Sequence, residues 1–321
     1  MQKLKAKFDL ISDEQQQRIT VFAALIILCI VFSVGSQYFL TLDNILLTLY
    51  QTAVTGITSY GILLVIITQA VDLSLGSTIA VGGCICAALL TCGVPPVLAV
   101  TAALICGAVI GVMNGFCVAK MKLPPFVATL GMQMVLRGLV LVATNAKPIY
   151  LTEGNFKQFA QYKLFDVIQL PVIYLILLGI LSWFILRKTV IGRHLFAVGS
   201  NEGAARLSGI KVDRVRMFAY GYCGVMAVFA GCVLTARVNS GQPTIAVGYE
   251  ANAIAACVIG GASMSGGKGT VGGTVLGAII MGVLLNGLNL LSISSNWQSV
   301  ATGAVVIGAV YLDRMRHLKV S

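Results

Sequence analysis

Charge and histidine are the scarcest features of this sequence. Only 10% of its 321 residues are Asp, Glu, Lys or Arg, against roughly 25% in a soluble globular domain, which excludes a chain folded in water. Histidine occurs twice, at His194 and His317, and no apolar stretch holds an H-E-x-x-H pattern or a pair of carboxylates. Catalysis and metal binding need grouped His, Asp, Glu or Cys side chains, so a membrane-embedded enzyme has nothing to be built from. Cys-x-x-Cys spacing is missing too. The nine cysteines are odd in number and lie in apolar stretches, where they read as small packing residues and not as a disulfide framework.

What is abundant is apolar surface: 58% of residues are hydrophobic and mean hydropathy is +0.92. Apolar runs lie near 20–40, 45–68, 75–93, 97–119, 125–144, 171–186, 217–235, 251–263, 270–291 and 297–312, the eighth being short. At about 20 residues per span, ten spans use about 200 residues and leave about 120 for connections. The expectation is an all-α polytopic membrane protein. It comprises an N-terminal segment 1–18, one transmembrane unit 19–312 and a tail 313–321, with long connections at 145–170 and 187–216.

A net charge of +11 would suggest nucleic acid in a soluble chain. In a membrane chain it reports orientation, because Lys and Arg are retained in the cytoplasm. With the N-terminus inside, the inner segments hold 17 of the 22 basic residues, seven of them in 187–216; the outer segments hold Lys147, Lys157, Lys163 and Arg237, and Arg137 falls within a run. Both termini are therefore expected in the cytoplasm. Lys3, Lys5, Lys7 and Arg18 precede the first run, but no A-x-A-like site follows it, so it reads as an uncleaved span. Leu4, Phe8 and Ile11 share one helical face, and an interfacial helix and a disordered tail both remain open for 1–18.

Several residues are candidates for transport chemistry. Gly107-Ala-Val-Ile-Gly111-Val-Met-Asn114-Gly115 resembles, with gaps, Gly277-Ala-Ile-Ile-Met-Gly282-Val-Leu-Leu-Asn286-Gly287. The two runs are expected to point in opposite directions, as inverted transporter repeats do, and Gly107, Gly111 and Gly115 form a small-residue stripe suited to close helix approach. Arg137, at mid-run, costs about 2.5–3.5 kcal/mol on insertion scales; it reads either as a donor on a polar route or as the partner of a backbone carbonyl or carboxylate. Asp72 and Ser74 precede the third run as helix caps do, or form a gate. Asp72, Ser74, Asn114, Arg137 and Asn286 are thus the path or gate candidates. Arg237, Asn239, Gln242, Tyr249, Glu250 and Asn252 gather at the opposite mouth, four of which (Arg237, Gln242, Tyr249, Glu250) are candidates for meeting an external partner.

Ser265-Gly266-Gly267-Lys268-Gly269-Thr270 imitates the end of a phosphate-binding loop. Ala262 stands where that pattern needs Gly, Gly269 where it needs Ser or Thr, and an apolar run precedes it in place of a strand. It reads as a tight cytoplasmic turn. In the 187–216 connection, Asn201 is positioned to cap a short helix, Glu202 to favour its positive end and Gly209 to stop it. Ala204 and Leu207 share one face beside Arg206, as in a docking element.

At this connection the sequence resembles a family. The residues Gly192-Arg193, Ala197-Val198-Gly199, Asn201, Ala204-Ala205 and Ser208-Gly209-Ile210 are similar to the permease subunit of ribose-type monosaccharide ABC importers. So are Asp72-Leu73-Ser74-Leu75-Gly76-Ser77, Ala128-Thr129-Leu130-Gly131 with Arg137-Gly138, Gly248-Tyr249-Glu250, Ser265 to Thr270, Asn286 to Leu290 and Trp297-Gln298. The resemblance implies a ten-span bacterial inner-membrane permease that pairs with a second copy of itself. It implies an extracytoplasmic sugar-binding protein outside and a double-cassette ATPase inside, the ATPase carrying ATP and Mg. This chain would hold no cofactor and bind no nucleic acid. Gly192, Arg193, Gly199, Asn201, Glu202, Ala204, Ala205, Arg206 and Gly209 would belong to the ATPase-coupling region. Two positions depart from the family pattern: Asn252 replaces an acidic residue and Thr302 a lysine, as if a paired charge had been lost together. Nucleoside and branched-chain amino-acid permeases of related architecture are the alternatives. A proton-coupled sugar carrier would require carboxylates within its spans.

Overall fold

The structure is a computed structural model that describes residues 13–151 and 155–318. The proposed interfacial face of 1–18 lies largely outside the described residues. Helices start where the sequence offers a cap or a proline. After α1 (Asp13–Gly35), Thr41 accepts from the Asn44 N–H ahead of α2 (Leu42–Ile67). Then comes α3 (Leu75–Thr91), followed by α4 (Pro96–Ala119) and α5 (Pro125–Ala143), which both open on proline, where its missing N–H costs nothing.

The outer connection contains β1 (Ile149–Tyr150), a 3-10 turn at Asn155–Lys157, α6 (Gln158–Gln161), β2 (Lys163–Leu164) and β3 (Ile168–Gln169). It leads into α7 (Leu170–Lys188), α8 (Val190–Ser200), α9 (Glu202–Leu207) and α10 (Val212–Val238). β4 (Ser240–Gly241), α11 (Tyr249–Ile259), α12 (Val271–Leu290) and α13 (Ser295–Leu318) complete the order. Helices overlie all ten apolar runs. Among the described residues six of them, α2, α4, α5, α7, α10 and α12, are long and apolar enough to cross a membrane. The run 251–263 corrects itself in the structure: α11 begins at Tyr249 and ends at Ile259, followed by Gly261 at φ +97°. Its 11 residues reach about 16 Å, half of a hydrocarbon core of about 30 Å.

α2 lies at the centre, buried almost continuously from Thr52 to Ile67, as a helix apolar on all sides should. The glycine stripe of α4 meets α10 at backbone distance. A Cβ on Gly107 would strike the Gly224 carbonyl, one on Gly111 the Tyr220 carbonyl, and one on Gly115 would come within 2.7 Å of Met217 Cα. The outer connection is held down rather than loose. β1 pairs antiparallel with β4, and Phe159 packs on Phe156, Tyr174 and Phe229 at centroid separations of 5.4, 5.1 and 5.8 Å. All nine cysteines are free.

Candidate translocation and docking sites

Between α2 and α3 the backbone leaves helical geometry, with Gln69 at φ +65°, while Thr68, Ala70, Asp72 and Ser74 stay buried. Irregular backbone is tolerated at membrane depth only where protein or an aqueous cavity surrounds it. Asp72 Oδ1 accepts from the Ser74 N–H (2.9 Å) and the Ser74 hydroxyl (2.6 Å), an Asx turn. Asn114 of α4 donates to Ser74 Oγ at 2.7 Å and to Asp72 Oδ1 at 3.4 Å, and Tyr220 of α10 donates to the Val71 carbonyl at 2.8 Å. The expectation of a simple cap changes accordingly: Ser74 stands at the N-cap of α3 without a side-chain cap bond, and Asp72 ties α3 to α4.

The start of α3 meets the start of α11. A Cβ on Gly76 would strike the Ala246 carbonyl and sit 2.5 Å from Glu250 Oε2. Around this junction, Ser77 Oγ, Asn114 Oδ1 and Glu250 Oε2 are buried without a hydrogen-bond partner among the described residues, as is Asn252 Oδ1 on α11.

Of the five path or gate candidates, the structure joins Asp72, Ser74 and Asn114 by hydrogen bonds and gives Arg137 and Asn286 other partners. Arg137 donates through Nη1 to the carbonyls of Pro243 (2.6 Å) and Ile245 (3.0 Å), so it is the backbone-paired guanidinium of the second reading. Asn286 exchanges two amide hydrogen bonds with Asn44, at 3.0 and 3.1 Å, bracing α12 against α2 away from Asp72. The candidates at the opposite mouth have partners within the protein. The Arg237 guanidinium lies 4.7 Å from the Tyr50 ring centroid, Gln242 bonds Ser240, Asn239 bonds the Leu151 carbonyl, and Tyr249 and Glu250 open α11 facing the bundle.

The 187–216 connection folds as two helices. Asn201 Oδ1 accepts the Ala204 N–H at 2.9 Å, and Gly209 takes φ +81°, a conformation that side chains with a Cβ disfavour. Ala205 is buried, whereas Ala204 and Leu207 are exposed, Leu207 at 91%. Gly199 packs so tightly that a Cβ would strike the Ile67 carbonyl at the end of α2, and one on Gly192 would strike the Ile185 and Leu186 carbonyls of α7. Gly267 N–H donates to the Ile67 carbonyl at 2.9 Å, so the 263–269 turn joins the same seam.

A charge network fastens α9 to the bundle. Glu202 pairs with Arg206 (2.8 Å) and Arg216 (2.6 Å), and Asp213 with Arg206 (3.2 Å), Lys120 (3.3 Å) and Lys122 (3.5 Å). Hydrogen bonds from Arg206, joined by Arg216, hold the Glu202 carboxyl below its ordinary range. At Asp213 partial burial pushes upward, but Arg206 and the two lysines prevail and the net shift is downward. Sequence reasoning missed Lys120, Lys122, Asp213 and Arg216, as well as Asn44 and Tyr220. Their partners lie up to 242 positions away, and no local pattern links them.

These features belong to a class: an all-α multi-pass membrane protein with broken helices inside and an apolar, charge-braced knob at one face. The chain belongs to the family described as branched-chain amino acid transport system, permease component, which matches residues 44–310. It is 43% identical over 306 residues to the ribose import permease protein of Bacillus subtilis, covering 95% of both chains. It is 40% identical to the ribose import permease protein of Escherichia coli over 92% of both, and 36% identical to that organism's D-allose transport system permease protein over 92% of this chain and 91% of the relative. No solved structure matches.

Proposed function

We propose that this chain is the membrane permease subunit of an ATP-driven importer for a monosaccharide, ribose or a similar pentose or hexose, in the bacterial inner membrane. The observation that carries the reading is identity of 40–43% to ribose import permeases over nearly the whole chain. Allose, xylose and galactose permeases stand at 33–36%, so sugars are favoured over the amino acids of the family description. Transport in this reading uses ten spans, both termini in the cytoplasm and two copies of the chain around a path. The eighth of these spans is helical only over the 11 residues of α11, which faces the start of α3. The unpartnered Ser77, Asn114 and Glu250 oxygens suit sugar hydroxyls or the water that accompanies them, since buried polar atoms without partners are costly.

ATP and Mg act on a separate double-cassette ATPase, which docks on Leu207 and Ala204 of α9, and an extracytoplasmic sugar-binding protein delivers substrate at the other face. The decisive experiment is uptake of labelled ribose into proteoliposomes holding the permease, the ATPase and the binding protein. Uptake is expected to require ATP and to survive a protonophore. Uptake that persists without ATP and collapses with the proton gradient would overturn the reading.

A further inference from the structure

Two cavities on one flank of the protein form a single groove. The first, about 330 Å³, lies between the end of α7, α8 and the start of α12, and its walls include Arg187, Trp183, Phe196 and the backbone of Gly272. The second, about 250 Å³, continues along the seam of α7 and α12 and is walled by Ile176, Ile180, Leu175 and Val275. Trp183 and Val271 line both. Tyr60 of α2 floors the second cavity, with its hydroxyl donating to the Leu175 carbonyl at 3.1 Å. Tyr60 is buried, and Gly179 packs directly on its hydroxyl, since a Cβ there would come within 2.6 Å of the Tyr60 oxygen.

The groove is therefore polar at one end and apolar along the rest. Arg187 is exposed at the polar end, and Lys188 stands beside it with Nζ 5.8 Å from the Trp183 centroid. No acidic residue lines either cavity among the described residues. Ile176, Ile180 and Trp183 are each about half exposed on a helix apolar enough to span, so the groove continues the surface that meets lipid. From Ile176 to Arg187 the helix rises about 16 Å, close to the thickness of one leaflet's hydrocarbon, about 15 Å.

We propose that this groove holds one anionic phospholipid, its phosphate at Arg187 and one acyl chain along the seam of α7 and α12. A basic pocket between spanning helices at the membrane edge has the charge such a headgroup requires, and the apolar remainder is matched to a chain and not to a free anion. Phe196 belongs to α8, so the bound lipid touches the connection that leads to the docking knob.

Native mass spectrometry of the purified full-length permease in detergent tests this, with phosphatidylglycerol, chain-matched phosphatidylcholine and inorganic phosphate as probes. Phosphatidylglycerol is expected to bind about fivefold more tightly than phosphatidylcholine, the contribution of one basic side chain at an anionic surface. Arg187→Gln should remove that preference and Arg187→Lys retain most of it. Ile180→Trp, which fills the apolar part, should weaken both lipids without altering phosphate binding; it serves equally if Arg187→Gln fails to fold. Equal affinity for the two lipids, or indifference to Ile180→Trp, overturns the proposal. Phosphate competing as well as phosphatidylglycerol overturns it in favour of a free-anion site.

Discussion

Arg137 and Asn252 show how differently a polar residue fares inside the bundle. Two carbonyls take up the Arg137 guanidinium, so its insertion cost is offset by charge-assisted hydrogen bonds. Asn252 Oδ1 has no such partner among the described residues. It lies on α11, which packs against α13, the helix that carries Thr302. A carboxylate at 252 without a cation opposite would cost on the order of 2.5–3.5 kcal/mol. Asn252→Asp alone is therefore expected to lower membrane yield and ribose uptake roughly tenfold or more, and Asn252→Asp with Thr302→Lys to recover most of both. Equal expression and transport of the single and double variants would sink the paired-loss idea. Asp72 is the opposite case, a carboxylate whose single oxygen serves Ser74 twice and Asn114. The sequence marked it as a residue before an apolar run and as the start of the Asp72-to-Ser77 motif, but not its bond to Asn114, which is 42 positions away.

At the scale of the element, α9 is the clearest case of local sequence dictating local structure. An Asn cap, an acidic first turn and a left-handed glycine stop enclose six residues, too few to be stable alone. What keeps them folded is the network around Asp213 and Glu202. A charge exchange of Glu202 with Arg206 would place arginine beside Arg216 and glutamate beside Asp213, breaking the mount and not only the docking face. Leu207 is the better probe, since it is 91% exposed and touches nothing that holds the helix. Leu207→Asp should leave insertion and the melting temperature unchanged while lowering ATP-driven uptake by about tenfold, the scale of an interface anchor. Wild-type uptake in that variant would remove α9 from the docking surface.

For the whole molecule, a native cysteine reports the topology. Cys92 is exposed in the turn between α3 and α4, on the non-cytoplasmic side in the proposed arrangement. A membrane-impermeant maleimide should label it in right-side-out vesicles and fail to do so in inverted ones; the reverse pattern would invert the assigned orientation. Membrane residence, the order and approximate limits of the helices, and the capped short helix α9 followed from the sequence by itself. Each depends on composition, periodicity or neighbours a few residues apart, and such effects are decided locally. Only the tertiary structure decided that Asp72, Ser74 and Asn114 converge while Arg137 and Asn286 find other partners, that α11 ends after 11 residues, and that α9 hangs on Asp213 and Arg216 of α10, with lysines of the α4–α5 turn on Asp213. Those outcomes depend on which helices come within hydrogen-bonding distance, and in a chain built largely of Gly, Ala and branched apolar residues many pairings share the same local pattern. Shape complementarity at backbone distance, as where Gly107 and Gly111 meet α10, selects among them.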